Sequence, residues 1–299
     1  MNIKELFLPD TSVRNPTGVF TLTGTEMGYY AYQPVRLLHL ADWSGTTTVR
    51  DQWNVSRWLR GIKLPIPVHA ELQRWDPPEG RSYSLINLRQ PAPWEIQHGL
   101  ELIPDTDIPT LAFLAFKELV RFTAELRNPY LKRLVSDVLS DPAISRPFFH
   151  LPASGKYHHS YEGGLLVHSV DMLQPIAGFL AGPRHRHLDR EVTQVGYMFH
   201  DLGKVRSYAP NADPSIPHEQ HTLQMLRPHL DTLAAHEPGT ALLLNEIFDR
   251  CATSPRKRKR SDFIGAQMVT FADGISTQKD REAANDCWFE EERPEIGHG

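Results

Sequence analysis

The spacing of hydrophobic residues divides the chain into two parts. In the first hundred residues, β-branched and aromatic residues form short runs, and the run at 68–75 alternates with a period of two, which is typical of a β-strand. The predicted strands are 19–23, 29–32, 35–40, 46–50, 68–75 and 83–88. Gly24, Pro34 and the segment 76–80 separate them. Short strands in this number predict a small barrel of the OB type.

After Ile103 the hydrophobic period becomes that of helices. Apolar residues three or four positions apart predict amphipathic helices on both sides of Asn128-Pro129. Further helical patterns cover 164–179, 191–200, 218–233, 241–251 and 263–284. The predicted fold class is therefore α+β. It has an OB-like β-barrel at 1–95, linker helices at 96–150, an all-α bundle at 151–288 and an acidic tail at 289–299.

Composition and charge narrow the class of protein. The chain has 299 residues, of which 40% are hydrophobic and 23% charged, as in globular proteins. No apolar run reaches the roughly 18–20 residues of a membrane span, and the first residues lack a signal-peptide layout. Two cysteines are too few for a disulfide framework, so a cytoplasmic location is expected. The net charge of −4 argues against a generally basic nucleic-acid-binding surface.

Histidines are concentrated in one stretch. Eleven of the 15 lie between His150 and His236, where an even distribution would place about four. Among them, His200-Asp201 ends an apolar helical segment, and Gly203 is the predicted C-terminal cap. A buried imidazole next to a carboxylate is costly unless both are satisfied. A divalent metal would satisfy them, and a hydrogen bond between the two is the alternative.

His168 and Asp273 occupy apolar helical patterns of their own, so a bundle can bring the set H…HD…D around one ion. This order resembles the HD superfamily of metal-dependent phosphohydrolases. The block LPASGKYHHSYEGGLLVHS at 151–169 resembles that of YhaM-type 3′–5′ exonucleases, which carry an OB domain ahead of the HD domain, and that of TraI/MobH-type relaxases. LADWSGTTTVRDQW at 40–53 is similar to the exonuclease OB domain, whereas ADGISTQKD at 272–280 is nearer to the relaxases.

The resemblance implies that the bundle is an HD domain that holds a divalent ion (Mn, Mg, Fe or Ni). Its ligands would be His168, His200, Asp201 and Asp273. His218 and His221 are candidate further ligands, because residues three apart share one helix face. Related exonucleases supply another histidine pair near 251–260, where this chain has none. One ion is therefore favoured over two.

Other residues are expected to act on the substrate. Asp201 would orient the attacking water, Lys204 would neutralise phosphate, and His159 would support catalysis, with His158 as a phosphate contact. Lys204 has an alternative role as a solvated helix charge, and the two histidines as packing residues. The basic run is a candidate phosphate contact or a solvated loop, in a chain that is otherwise at −9; it comprises Arg256, Lys257, Arg258, Lys259 and Arg260.

The aromatic residues of the barrel are candidates for stacking on bases, with Trp43 and either Tyr30 or Tyr32 expected on the surface. The resemblance thus implies a metal-dependent HD phosphodiesterase that cleaves single-stranded RNA or DNA as a 3′–5′ exonuclease. The alternatives are a relaxase-like DNA-processing protein of a mobile element, a catalytically weak nucleic-acid-binding module, and a small-nucleotide phosphohydrolase. Related enzymes also suggest self-association.

Overall fold

The computed structural model describes residues 2–7, 15–76, 81–92, 95–96, 99–155, 158–258 and 261–291. The chain forms two compact units, Met1–Ile108 and Pro109–Gly299. The first unit is a closed β-barrel and the second is helical, so the predicted α+β fold class is confirmed. The predicted linker stretch 96–150 is divided between the two units. Lys259, Arg260 and the tail from residue 292 lie outside the described residues.

Five strands close the barrel in the order β1-β2-β3-β5-β4, and β4 pairs with β1. Pairing is antiparallel except between β3 and β5, which are parallel. Closure pairs both edges of the sheet, which an open sheet would leave exposed. The strands are β1 (Thr17–Tyr30), β2 (Gln33–Asp42), β3 (Gly45–Asp51), β4 (Ile66–Trp75) and β5 (Ser82–Arg89).

The barrel interior is filled by the alternate residues of each strand. Phe20 and Leu22 of β1 are fully buried, as are Leu38 and Leu40 of β2. A short helix, α1 (Ile3–Leu6), adds two buried aliphatic side chains to this core. The alternation of hydrophobic residues therefore makes one face of the sheet apolar, and the closed barrel buries that face in its interior.

The first strand differs from its prediction. Two strands are predicted, at 19–23 and 29–32, but 19–23 and residues 29–30 belong to the single strand β1, and Gly24 does not end a strand. The register shifts between Leu22 and Gly24, which is a β-bulge of the kind that bends strands into barrels. The turn comes later, where Ala31 and Tyr32 adopt φ values of 48° and 63°. Neither residue is a usual turn former, so the pattern of residue types did not reveal it.

The second unit contains ten α-helices among its described residues. They are α2 (Phe113–Glu125), α3 (Pro129–Leu139), α4 (Pro142–His150), α5 (Gly164–Val170), α6 (Leu173–Phe179), α7 (His187–Phe199), α8 (Lys204–Ser207), α9 (His218–His236), α10 (Pro238–Ala252) and α11 (Ile264–Glu291). Helix α7 is central, because it packs against α5, α6, α10 and α11 and its residues 191–199 are all buried. The helix that carries His200 at its end is thus the axis of the bundle.

Local signals explain some of the helix boundaries. Asn128 caps α3, since its side chain accepts hydrogen bonds from the backbone amides of Tyr130 and Leu131. The predicted helix 164–179 is two helices, α5 and α6. A proline ring clashes with the carbonyl four residues earlier, which favours the first turn of a helix, and Pro175 lies in the first turn of α6, which begins at Leu173. No helix in the described part of the chain is long and apolar enough to span a membrane.

Candidate metal centre

His168 is carried by α5, whose start depends on two adjacent glycines. Gly163 has a φ of +83°, and a Cβ added to Gly164 would lie 2.0 Å from the carbonyl oxygen of His159. Both positions therefore exclude larger residues, and the loop that contains His158 and His159 packs directly on the start of α5. The His168 side chain on the next turn is completely buried.

His200 and Asp201 lie at the turn that follows α7. The prediction that Gly203 caps this helix is wrong, because the C-cap is His200, and Gly203 has a φ of −63°. Gly203 is instead required by close approach, since a Cβ there would lie 1.8 Å from the carbonyl oxygen of His218 at the start of α9. Thr222 fixes the contact: its hydroxyl accepts from the Gly203 amide at 2.8 Å and donates to the His200 carbonyl at 3.1 Å.

The four residues of the H…HD…D set lie together. The Nε2 atoms of His168 and His200 are 3.3 Å apart. Asp201 Oδ2 lies 3.4 and 3.6 Å from these two atoms, and Asp273 Oδ1, from α11, lies 3.3 and 3.5 Å from them. His168, His200 and Asp201 are almost fully buried, whereas Asp273 is partly exposed. One atom of each residue therefore faces a common point.

This donor set fits a divalent ion. Imidazole and carboxylate together suit Mn, Fe, Zn or Ni. The five distances between the donor atoms lie between 3.3 and 3.6 Å, so all four atoms are close enough to bind one ion. The Nδ1 atom of His200 lies 2.5 Å from the Tyr197 carbonyl oxygen and donates to it, so Nε2 is the nitrogen that faces the cluster. His168, His200, Asp201 and Asp273 are thus the residues that could hold the ion.

Within the cluster, neighbouring groups of opposite charge shift the pKa values more than burial does. Burial opposes protonation of His168, but the carboxylates of Asp201 and Asp273 overcome it and raise the pKa of this imidazole to about 9. The pKa of Asp201 lies well below its usual range despite desolvation, because His200 and Lys204 are close. Burial likewise opposes ionisation of Asp273, but hydrogen bonds from His168 and His200 lower its pKa. Both carboxylates are therefore ionised at neutral pH.

A cavity of about 220 Å³ opens beside the cluster, and two cations lie on its wall. The Lys204 ammonium is 2.5 Å from Asp201 Oδ2. The Nε atom of Arg258 donates to the carbonyl oxygens of Arg250, at 3.1 Å, and Thr253, at 2.9 Å. These two bonds anchor the guanidinium at one edge, so its terminal amino groups can face an anion.

The pKa values of two histidines on the same wall are shifted in opposite directions. Desolvation and the neighbouring His168 lower the pKa of His158 to about 4, so its imidazole is neutral. Burial opposes charge at His218, but Asp201 Oδ1, 3.0 Å from its Nε2, raises the pKa above the ordinary value. The environment therefore favours the neutral form of His158 and the protonated form of His218.

Several predicted site residues lie elsewhere. His159 is not among the cavity-lining residues and instead lies behind His168, with its Nε2 4.0 Å from Asp171 Oδ2. His221 is buried outside the cluster, and neither ring nitrogen has a hydrogen-bond partner in the described part of the chain. Arg256 and Lys257 are exposed and outside the cavity wall.

Other residues near the cluster were not predicted from the sequence. Cys251 lines the cavity, and burial raises the pKa of its thiol to about 12, so it is neutral. Asp171, Tyr197 and Ser276 lie next to the ligands. Each is three residues from a ligand on the same helix or its end, and that spacing is the signal that could have found them.

A larger cavity, of about 350 Å³, lies between α2 and α7. Its buried carboxylate, Glu191, accepts hydrogen bonds from the backbone amides of Arg127, at 2.6 Å, and Asn128, at 3.1 Å. These bonds hold the corner between α2 and α3, so the carboxylate serves the fold. The larger of the two cavities is therefore not the one beside the candidate metal centre.

The fold and the cluster define a class: an OB-like barrel and a helical unit that has a buried two-histidine, two-aspartate group suited to a divalent ion. Over 86 residues, the chain is 34% identical to the 3′-5′ exoribonuclease YhaM of Bacillus velezensis. The match spans 29% of this chain and 26% of that protein's length. No family model and no solved structure matches the chain. The likeness loosely supports the HD-type nuclease resemblance, and the relaxase resemblance stays a prediction.

Ion binding is expected to release a proton, because an ion must displace the one that the carboxylates hold on His168. At about pH 7.5 we expect about one proton per ion, and an affinity that rises with pH up to about 9. Calorimetric titration of the metal-free protein with Mn²⁺, in buffers of different ionisation enthalpy, measures this number. A binding enthalpy that is the same in all buffers would contradict the expectation.

Proposed function

We propose that the chain is a metal-dependent phosphodiesterase that cleaves single-stranded nucleic acid, as a 3′–5′ exonuclease. The observation that carries the proposal is the buried His168–His200–Asp201–Asp273 cluster beside a cavity lined by cations. Phosphate chemistry suits this arrangement, because carboxylates and imidazoles hold the ion while cations bind the anionic substrate. The 3′ polarity, and RNA as a substrate, rest on the partial likeness to an exoribonuclease.

The chain's own residues would bind and orient the reacting groups. A divalent ion, when bound, supplies polarisation of a phosphoryl oxygen and acidification of a water. His158, neutral on the cavity wall, would accept the proton of the attacking water, and His218, whose pKa is raised, would donate one to the leaving oxygen. Asp201 orients both partners, since Oδ2 faces the cluster and Oδ1 faces His218.

Arg258 would bind the phosphate of the substrate. Of the basic run, it is the described residue on the cavity wall, and its Nε is anchored to two carbonyl oxygens. An anchored guanidinium loses less conformational freedom on binding than a solvated one. Together with Lys204 it supplies positive charge beside a single ion, so we propose that one ion suffices here.

The barrel would bind the strand through a cluster formed by Tyr30, Arg50 and Trp75. The Arg50 guanidinium carbon lies 4.2 Å from the centre of the Tyr30 ring and 5.7 Å from that of Trp75, and the two rings meet edge to face at 6.0 Å. Trp75 is half exposed. Trp43, the residue expected on the surface, is partly buried, and its backbone amide donates to the Glu101 carbonyl. Partly exposed rings held by a cation suit stacking on bases.

Cleavage tests the proposal directly. With Mn²⁺ or Mg²⁺, a 5′-labelled single strand should shorten progressively, and a blocked 3′ end should protect it. His200→Ala and Asp273→Asn should lower the rate by at least about 10²-fold, since the ion supplies several kcal/mol of transition-state stabilisation. His185→Ala, in the loop before α7, is the matched control. If the parent and both variants all leave labelled RNA and DNA intact, the proposal is refuted.

Arg258→Gln should weaken binding of a single-stranded oligonucleotide by about 10-fold or more, because it removes a charge-assisted hydrogen bond. The slope of log affinity against log salt should become shallower by about 1. Filter binding at several salt concentrations measures both. Arg256→Gln, outside the cavity wall, should have a much smaller effect. Equal effects of the two substitutions would show that the basic run attracts the oligonucleotide by its overall charge and that Arg258 makes no specific phosphate contact.

Trp75→Ala should lower the affinity for single strands by ~1–3 kcal/mol, the usual contribution of one stacked base. Fluorescence anisotropy with a labelled oligonucleotide measures the loss, and thermal unfolding checks that the barrel is intact. Trp43→Ala is the comparison. A loss with Trp43→Ala and none with Trp75→Ala would move the binding surface to the position expected from the sequence.

A further inference from the structure

Each helix that supplies a ligand also supplies one residue of a second, linked group. Asp171 follows His168 by three residues, Ser276 follows Asp273 by three, and Tyr197 precedes His200 by three. Residues at this spacing lie on the same side of a helix. The second group, Asp171–Tyr197–Ser276, therefore lies one turn from the cluster on all three helices.

Hydrogen bonds join this group to the ligands. Ser276 Oγ lies 2.5 Å from Asp171 Oδ2 and 2.9 Å from His168 Nδ1. The Tyr197 hydroxyl lies 2.7 Å from Asp171 Oδ1 and 2.9 Å from the His168 carbonyl oxygen. Ser276 and Tyr197 are fully buried. The two hydroxyl groups are thus shielded from water, whereas the Asp171 carboxylate is partly exposed.

The direction of the bonds follows from the chemistry of the groups. An ionised carboxylate only accepts, so Asp171 accepts the Ser276 hydroxyl proton. The Ser276 oxygen is then left to accept a proton from His168, which places that proton on Nδ1. The Nε2 atom of His168 is then the nitrogen left to bind an ion, and it is the atom that faces His200 and both ligand carboxylates.

We propose that Asp171, Tyr197 and Ser276 are positioning residues that set the tautomer and orientation of His168 for ion binding. Tyr197 also accepts from His200 Nδ1 through its backbone carbonyl, so one buried residue holds the His200 imidazole and, through its hydroxyl, the His168 backbone carbonyl. Removal of a residue that hydrogen-bonds to a metal-binding histidine typically lowers metal affinity by about 10- to 100-fold. The inference rests on the metal binding of the proposed function, but not on its substrate or on cleavage.

The test compares buried serine-to-alanine substitutions. Ser276→Ala removes the acceptor for His168 and should weaken Mn²⁺ binding by about 10- to 100-fold, measured by calorimetry. Ser276→Thr keeps a hydroxyl and should restore most of the affinity. Ser169→Ala is the matched control, since Ser169 is also fully buried beside His168 but its hydroxyl has no hydrogen-bond partner in the described part of the chain. It should bind Mn²⁺ like the parent.

Two further measurements separate positioning from general loosening. When Asp171→Ala and Ser276→Ala are combined in one protein, the loss of Mn²⁺-binding free energy should be smaller than the sum of the two single losses, because both residues act through the same chain of hydrogen bonds. The visible absorption of the Co²⁺-loaded protein should change with Ser276→Ala but not with Ser169→Ala, while thermal unfolding stays similar in both. Unchanged affinity and spectrum with Ser276→Ala would overturn the proposal, as would equal losses in the two serine variants or absence of metal binding by the parent. Metal binding without cleavage would refute the proposed function alone.

Discussion

Burial of two imidazoles and two carboxylates at one point is the constraint on which the helical unit depends. Removing such groups from water is costly, and the cost is met only when each faces an opposite charge or a hydrogen-bond partner. His168, His200, Asp201 and Asp273 come from three packed segments, so satisfying one requires the correct position of the others. The packing of α5 and α11 against α7 is thereby tied to the site.

Close backbone contacts make this arrangement reachable. Gly164 lets the loop that contains His158 and His159 rest on the start of α5, and Gly203 lets α9 reach the turn after α7. A methyl group at either position would overlap a carbonyl oxygen and displace the histidines beyond it. The two glycines thus affect the site because they allow backbone segments to approach closely, and not through a side chain of their own. At Gly203 this close approach brings His218 to the second oxygen of Asp201.

Much of the fold was predictable because its signals are local. Strand alternation predicted the barrel, and the proline and asparagine at 128–129 marked a true helix start. The errors have physical reasons. The bulge at Gly24 keeps a strand continuous where residue type suggests a break, and Pro175 divides a helix that the apolar period alone joins. In both cases backbone geometry overrides the pattern of side chains.

The sequence by itself determined which residues could bind an ion and that they lie on helices or at a helix end, since residue chemistry and periodicity are properties of the chain. Only the tertiary structure decided that Nε2 of both histidines faces both carboxylates, that Arg258 rather than Arg256 lines the cavity, and that His221 stands apart. It also revealed the link through Asp171, Tyr197 and Ser276. Hydrogen bonds act over about 3 Å, and which groups come that close depends on how helices distant in sequence pack.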